Sequence, residues 1–166
     1  MKKRLFQVLC FLCCSAILCA QNLQINDMIG MRKAGIEQID STMKEKGYAK
    51  KVVAQNSDFT IITYLYNNVE NGLLVQRTLH FSKRPKISYS ELEYGVWQKE
   101  DALNCIDQLI KTGFKKANLS LPDIGAKSSS TSMLYRKGNN SISYREQDDG
   151  SNHTIYIFSI NNTDYK

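Results

Sequence analysis

Gln98-Lys-Glu-Asp-Ala-Leu-Asn-Cys-Ile-Asp-Gln-Leu-Ile-Lys-Thr-Gly-Phe114 is the stretch on which the fold turns. Leu103, Ile106, Leu109 and Ile110 recur at helical spacing, with Ala102 and Cys105 flanking the same face. Glu100 and Asp101 stand in the first turn and Lys111 in the last, where the helix dipole favours each sign. Gly113 is placed to end the helix in a left-handed cap. Strand-like segments lie on both sides. The helix is therefore expected to pack beneath a sheet drawn from both halves of the chain.

Working outward toward the N-terminus, Ile87 to Val96 reads either as a strand or as an approach to the helix. Leu73 to Phe81 alternates, with Leu73, Val75, Leu79 and Phe81 on one face. Asn67 to Gly72 is a turn signal, which makes a hairpin with Phe59 to Tyr66. In that earlier strand both faces are apolar or aromatic, so it is expected to be central, covered on one side and partly on the other. Lys51 to Gln55 is a shorter strand. Residues 21–47 read as one helix, with Met28, Met31, Ile36, Ile39 and Met43 on its apolar side and Asp27 as candidate N-cap. Toward the C-terminus, Asn118 to Ser132 reads as an irregular excursion with Pro122, Gly125 and a serine run. A meander of three strands follows: Ser132 to Lys137, Ser141 to Gln147 and His153 to Asn161.

The fold class is thus α+β, two helices packed on antiparallel sheet. The halves, about 21–97 and 98–166, echo one another. Lys46-Gly47-Tyr48 and Thr112-Gly113-Phe114 each end a helix and precede a lysine pair and hairpin strands. This element order is similar to that of small exported inhibitors built from tandem α/β units, the β-lactamase inhibitor proteins among them. The resemblance implies an exported binding domain; it rests on element order alone and transfers no residue.

The first twenty residues stand apart. Lys2, Lys3 and Arg4 precede an apolar run from Leu5 to Leu18, and Ala20 comes just before polar Gln21. This is the pattern of a secretory signal peptide cut after Ala20. The run is short for a membrane span. A lipid anchor at Cys19 is the weaker reading, because Leu18 occupies the place where a lipoprotein signal has a small residue. Loss of the segment removes three cations and lowers the formal charge from +6 to +3. A dense nucleic-acid footprint is not expected from so mild a balance. Cys10, Cys13, Cys14 and Cys19 go with the leader, which leaves Cys105 of the five cysteines. No internal disulfide and no cysteine zinc cluster can follow.

Chemistry is sparse. His80 and His153 are isolated on separate strands, whereas zinc needs three or four convergent ligands, so no metal or cofactor is expected. Cys105 sits on an apolar helix face and reads as core packing more readily than as a nucleophile. No Gly-x-Ser-x-Gly elbow and no glycine-rich phosphate loop is present. Glu91 and Glu93 project to one side of a strand, either as a carboxylate pair of the kind sugar hydrolysis uses or simply as charges on a solvated strand.

The aromatic residues carry the sharper expectation. Tyrosine, tryptophan and arginine dominate interface hot spots. Tyr64, Tyr66, Arg77, Tyr89, Tyr94, Trp97, Arg136, Tyr144 and Arg145 are the candidate interface residues, all on or beside strands. The competing reading is ordinary cross-strand packing. The expected function is a non-enzymatic, exported binding module with a protein partner, inhibitor-like or immunity-like, in the bacterial periplasm or outside the cell. One alternative is a lipid- or glycan-binding envelope domain with a pocket lined by Met28, Met31, Ile36 or the strand aromatics. The other is a hydrolase in which Glu91, Glu93 or a histidine converges with other polar groups.

Overall fold

The computed structural model describes residues 23–70, 72–84, 86, 89–117 and 132–163. The expected leader, with Cys19, and most of the expected excursion after Asn118 lie outside the described residues. Among the described residues there are three helices: α1 (Ile25–Met31), α2 (Ile36–Glu45) and α3 (Lys99–Lys111). There are eight strands: β1 (Ala49–Gln55), β2 (Thr60–Glu70), β3 (Leu73–Arg84), β4 (Tyr89–Val96), β5 (Lys115–Ala117), β6 (Ser132–Lys137), β7 (Asn140–Asp148) and β8 (Thr154–Thr163). All belong to one antiparallel sheet in the order β1-β2-β3-β4-β8-β7-β6-β5. The class is α+β with the sheet dominant. The chain builds four strands outward to inward, crosses by α3, and builds four more that meet the first set at the β4–β8 seam.

The single long helix expected over 21–47 is two helices. Gly35 takes an extended conformation at φ −71° and ψ 161°, and it caps α2. The break lets two separate apolar faces reach the same core: Met28 and Met31 from α1, Ile39 and Met43 from α2, all buried. Asp27 is not the N-cap but sits three residues inside, accepting the backbone N–H of Gln24 at 2.9 Å. In α3 the buried stripe is Ala102, Cys105 and Leu109, while Leu103 and Ile110 are 55% and 59% exposed. Six apolar positions span more of the helix than the sheet can cover, and periodicity alone does not say which third is turned inward.

Both α2 and α3 end in the same way. Gly47 and Gly113 adopt φ of +80° and +90°. Tyr48 N–H bonds Met43 C=O and Phe114 N–H bonds Leu109 C=O, both at 2.9 Å. These are Schellman caps, and in each the aromatic that follows glycine is buried against the core. The echo between the two halves is thus a repeated helix stop.

Alternation gives the sheet two unlike faces. Ile62, Tyr64, Leu79, Leu92, Tyr94 and Phe158 point to one side and share a core cluster with the helices. The other side carries half-buried or exposed residues such as Ile61, Thr63, Leu65, Thr78 and His80. Strand β2 is therefore not central; it lies second from the edge, and on its other face Ile61 is 39% exposed. Its ladder with β3 also continues through Asn67↔Gln76 and Val69↔Leu74, so most of the expected turn is strand. The stretch before α3 is strand β4. The two edges are blunted in ways that oppose pairing with other chains: β1 by a bulge at Lys50/Val52, β5 by its three-residue length and two lysines.

Candidate functional site

Gly95 is the centre of the site. It lies within β4, facing away from the helices, between Glu93 and Trp97 along the strand and between Thr78 and Ile157 across it. Its φ is not positive, so no backbone requirement calls for glycine. A Cβ there would come within 2.8 Å of Thr78 Oγ1 and 3.5 Å of Ile155 Cγ2. Glycine inside a strand costs about 0.5–1 kcal/mol relative to alanine and marks places where another group approaches closely. It lines a depression of about 240 Å³ in the face that no described helix covers.

The walls come from four strands. Thr78 and His80 of β3 stand on one side, Ile155 and Ile157 of β8 on the other, and Arg145 and Gln147 of β7 complete the rim. Arg145 donates to Glu93 Oε1 at 2.8 Å, and Ser159 Oγ donates to the same oxygen at 3.0 Å. The ion pair spans the β4–β8–β7 seam and leaves the centre of the face electrically balanced. Thr63 Oγ1 lies 2.9 Å from His80 Nδ1. The Trp97 side chain hydrogen-bonds Asp149, whose carboxyl is held below its usual pKa first by the backbone N–H of Ser151 and in smaller part by Trp97.

The nine candidate interface residues do not share a face. Tyr64, Tyr66, Arg77, Tyr94 and Tyr144 point toward the helices and are buried. Each has a packing role there. Tyr64 donates to Asp40, the carboxyl of which also takes Lys50. Burial opposes ionisation of Asp40, but the bonds from Lys50 and Tyr64 outweigh it and depress its pKa. Tyr94 receives the Tyr48 hydroxyl at 3.4 Å, and Tyr144 donates to Glu146 at 2.7 Å. Burial raises the pKa of Tyr64, Tyr94 and Tyr144, so all three stay protonated.

Arg77 is the most embedded charge, its side chain 2% exposed. Its Nε bonds Asp101 at 2.8 Å and its terminal nitrogens bond Glu70 at 3.0 and 3.3 Å, while the guanidinium lies 5.1 Å from the centre of the Tyr66 ring. It ties β2 and β3 to the first turn of α3.

Trp97, Arg145, Tyr89 and Arg136 do face the uncovered side. Trp97 and Arg145 line the depression. Tyr89 donates to Glu91 at 2.7 Å, and burial followed by that contact pushes its pKa up to about 12. Arg136 is exposed near the β5 edge, opposite Lys115. The residues missed from sequence are Gly95, Thr78, Gln147, Ile155 and Ile157. A glycine inside a strand-like stretch without a turn was the legible signal for the first.

The chemistry weighed from sequence takes the following positions. Cys105 is buried in α3, and burial pushes its thiol up to about 12. Glu91 and Glu93 lie on one side of β4, but Glu93 is engaged by Arg145 and Ser159. Among the described residues no three His, Cys, Asp or Glu side chains group as metal ligands, and no helix is long and apolar enough to cross a membrane. Met28 and Met31 are core residues.

No protein-family model, curated protein or solved structure matches this chain.

Proposed function

We propose that this chain is a small exported binding module, working in the bacterial periplasm or outside the cell, that holds a protein partner on the uncovered face of its sheet. The observation that carries the reading is the composition of that face. Its centre is made of Trp97, Ile155, Ile157, Thr78 and a strand glycine, with its two central charges neutralising one another. Interface cores are depleted of unpaired charge and enriched in aromatic anchors. A merely solvated face would be expected to carry lysines and glutamates at those positions.

The shape also favours a protein over a small ligand. Ligand pockets run from about 300 to 1,000 Å³ and enclose most of their occupant. A depression of 240 Å³ suits one projecting side chain. In the lipid- or glycan-carrier reading Met28 and Met31 lie in the core, which leaves the strand aromatics, Trp97 among them, as its lining. In the hydrolase reading Glu93 is held by Arg145, while His80 lines the same depression. The mirrored strand order about the β4–β8 seam and the two matching helix caps favour tandem halves, each a helical unit followed by four strands. The partner would then sit across the junction of the two.

The test is capture from native envelope extract by the chain Gln21 to Lys166, read by mass spectrometry. A stoichiometric protein retained by the unmodified chain and by Leu103→Lys, but lost with Trp97→Ala and with Arg145→Glu, is the expected result. Retention by the latter two variants would refute the reading.

A further inference from the structure

We propose that the depression over Gly95 receives a tyrosine side chain of the partner, ring against the glycine and hydroxyl toward Glu93. This rests on the protein-binding reading above and adds the chemistry of the group that enters. Three observations fit that group. The floor includes Gly95, which sits between Thr78 and Ile155 and adds no side chain of its own. The walls are Trp97, Ile155 and Ile157, which offer a ring both an aromatic and an aliphatic surface. The polar end is Glu93: its hydrogen bonds from Arg145 and Ser159 both fall on Oε1, and Oε2 has no partner among the described residues. The Glu93 side chain is 27% exposed, so a donor from a partner can reach it.

Charge selects among donors. Glu93 and Arg145 cancel, so an ammonium or guanidinium entering beside them would be repelled by Arg145 nearly as strongly as it is drawn to Glu93, while losing its own hydration. A carboxylate meets the reverse conflict and offers no proton. A phenol brings an apolar body and a neutral donor, and it loses little conformational freedom on ordering. Phenylalanine would fill the same space and leave Oε2 without a partner.

The experiment uses p-cresol, toluene and butylammonium as probes, titrated into the purified protein and followed by two-dimensional amide NMR. The chain's single tryptophan makes the Trp97 indole N–H an unambiguous marker. The expected result is a saturable shift of that signal and of the Gly95 and Ile157 amides with p-cresol. Toluene should bind about tenfold more weakly, for want of a hydrogen bond to a charged acceptor, and butylammonium should not bind. Gly95→Val should abolish the shifts. Should that variant fail to fold, Gly95→Ala with Thr78→Ala relieves the 2.8 Å contact and still raises the floor, and it should weaken binding. Equal binding of toluene, binding of butylammonium, or p-cresol shifts that do not saturate or lie elsewhere would overturn the inference. Such a result leaves the broader reading standing if Trp97→Ala and Arg145→Glu still lose the partner. Retention of the partner by those variants removes the broader reading whatever the cresol titration shows.

Discussion

Replacing Arg77 by methionine isolates the one deeply embedded charge among the described residues. The methionine keeps most of the aliphatic stem and removes the guanidinium fork, with its contact to the Tyr66 ring. What remains is two carboxylates, Glu70 and Asp101, whose side chains are 19% and 18% exposed. Breaking a buried ion pair by deleting one partner costs about 3–5 kcal/mol, because the other charge is left desolvated and unpaired. The carboxylates retain some water here, so the low end, about 3 kcal/mol, is the expected loss. For a chain of this size that lowers the melting temperature by roughly 6–12 °C.

The acid limb gives an independent reading of the same pair. The bond from Arg77 is the largest influence on Glu70 and holds its pKa below 4.5. A depressed folded pKa contributes stability that is fully present above the unfolded value and is lost as pH falls through the folded one. Wild-type stability should therefore drop below about pH 4.5, and Arg77→Met should flatten that dependence. The assay is thermal and urea unfolding by circular dichroism from pH 3 to pH 7, with Arg77→Met and with the same change combined with Glu70→Gln and Asp101→Asn. The triple variant should recover part of the loss by neutralising the stranded carboxylates. A single-variant melting shift below about 2 °C, or a triple variant no more stable than the single, would refute the reasoning. Because Arg77 faces the helices, the folded single variant should still capture the partner.

Other positions test the remaining elements. Gly113→Ala should cost about 1–2 kcal/mol, since φ is +90° there, whereas Gly30→Ala should stabilise by about 0.4–1 kcal/mol, being helical with open space around it; urea midpoints measure both. Leu109→Ala should cost about 2–5 kcal/mol, while Leu103→Lys and Ile110→Lys should change stability by less than about 0.5 kcal/mol in the same unfolding assay. In the chain beginning at Gln21, Cys105 should resist a thiol reagent at pH 8 until urea unfolds the protein, since burial lifts its thiol to about 12; rapid labelling of the folded chain would contradict its place in the core.

Local pattern was enough for much of the architecture. The helix over 98–114, its glycine stop, the hairpin of β2 and β3 and the last three strands follow from spacing and turn residues, because those depend on neighbours within a few positions. The matching Gly47-Tyr48 and Gly113-Phe114 stops were legible for the same reason. The break in the first helix was not. Gly30 and Gly35 hinted at it, but two short helices form only because Met28 and Ile39 can both be buried in the same core.

Which way each strand faces was decided only in three dimensions. Tyr64, Tyr66, Tyr94 and Tyr144 alternate as correctly as Tyr89 and Trp97 do, and a period of two says that two faces exist without saying which one the helices cover. Arg77 was read as an exposed contact because its partners, Glu70 and Asp101, lie on other elements. The site itself needed four strands from both halves to be laid side by side before Gly95 came to line a depression with Trp97, Arg145 and Ile157. The sequence by itself determined the elements and their stops, which are local free-energy choices. The tertiary structure decided which face is hidden and what gathers on the other, because burial belongs to the assembled sheet and to no single segment of it.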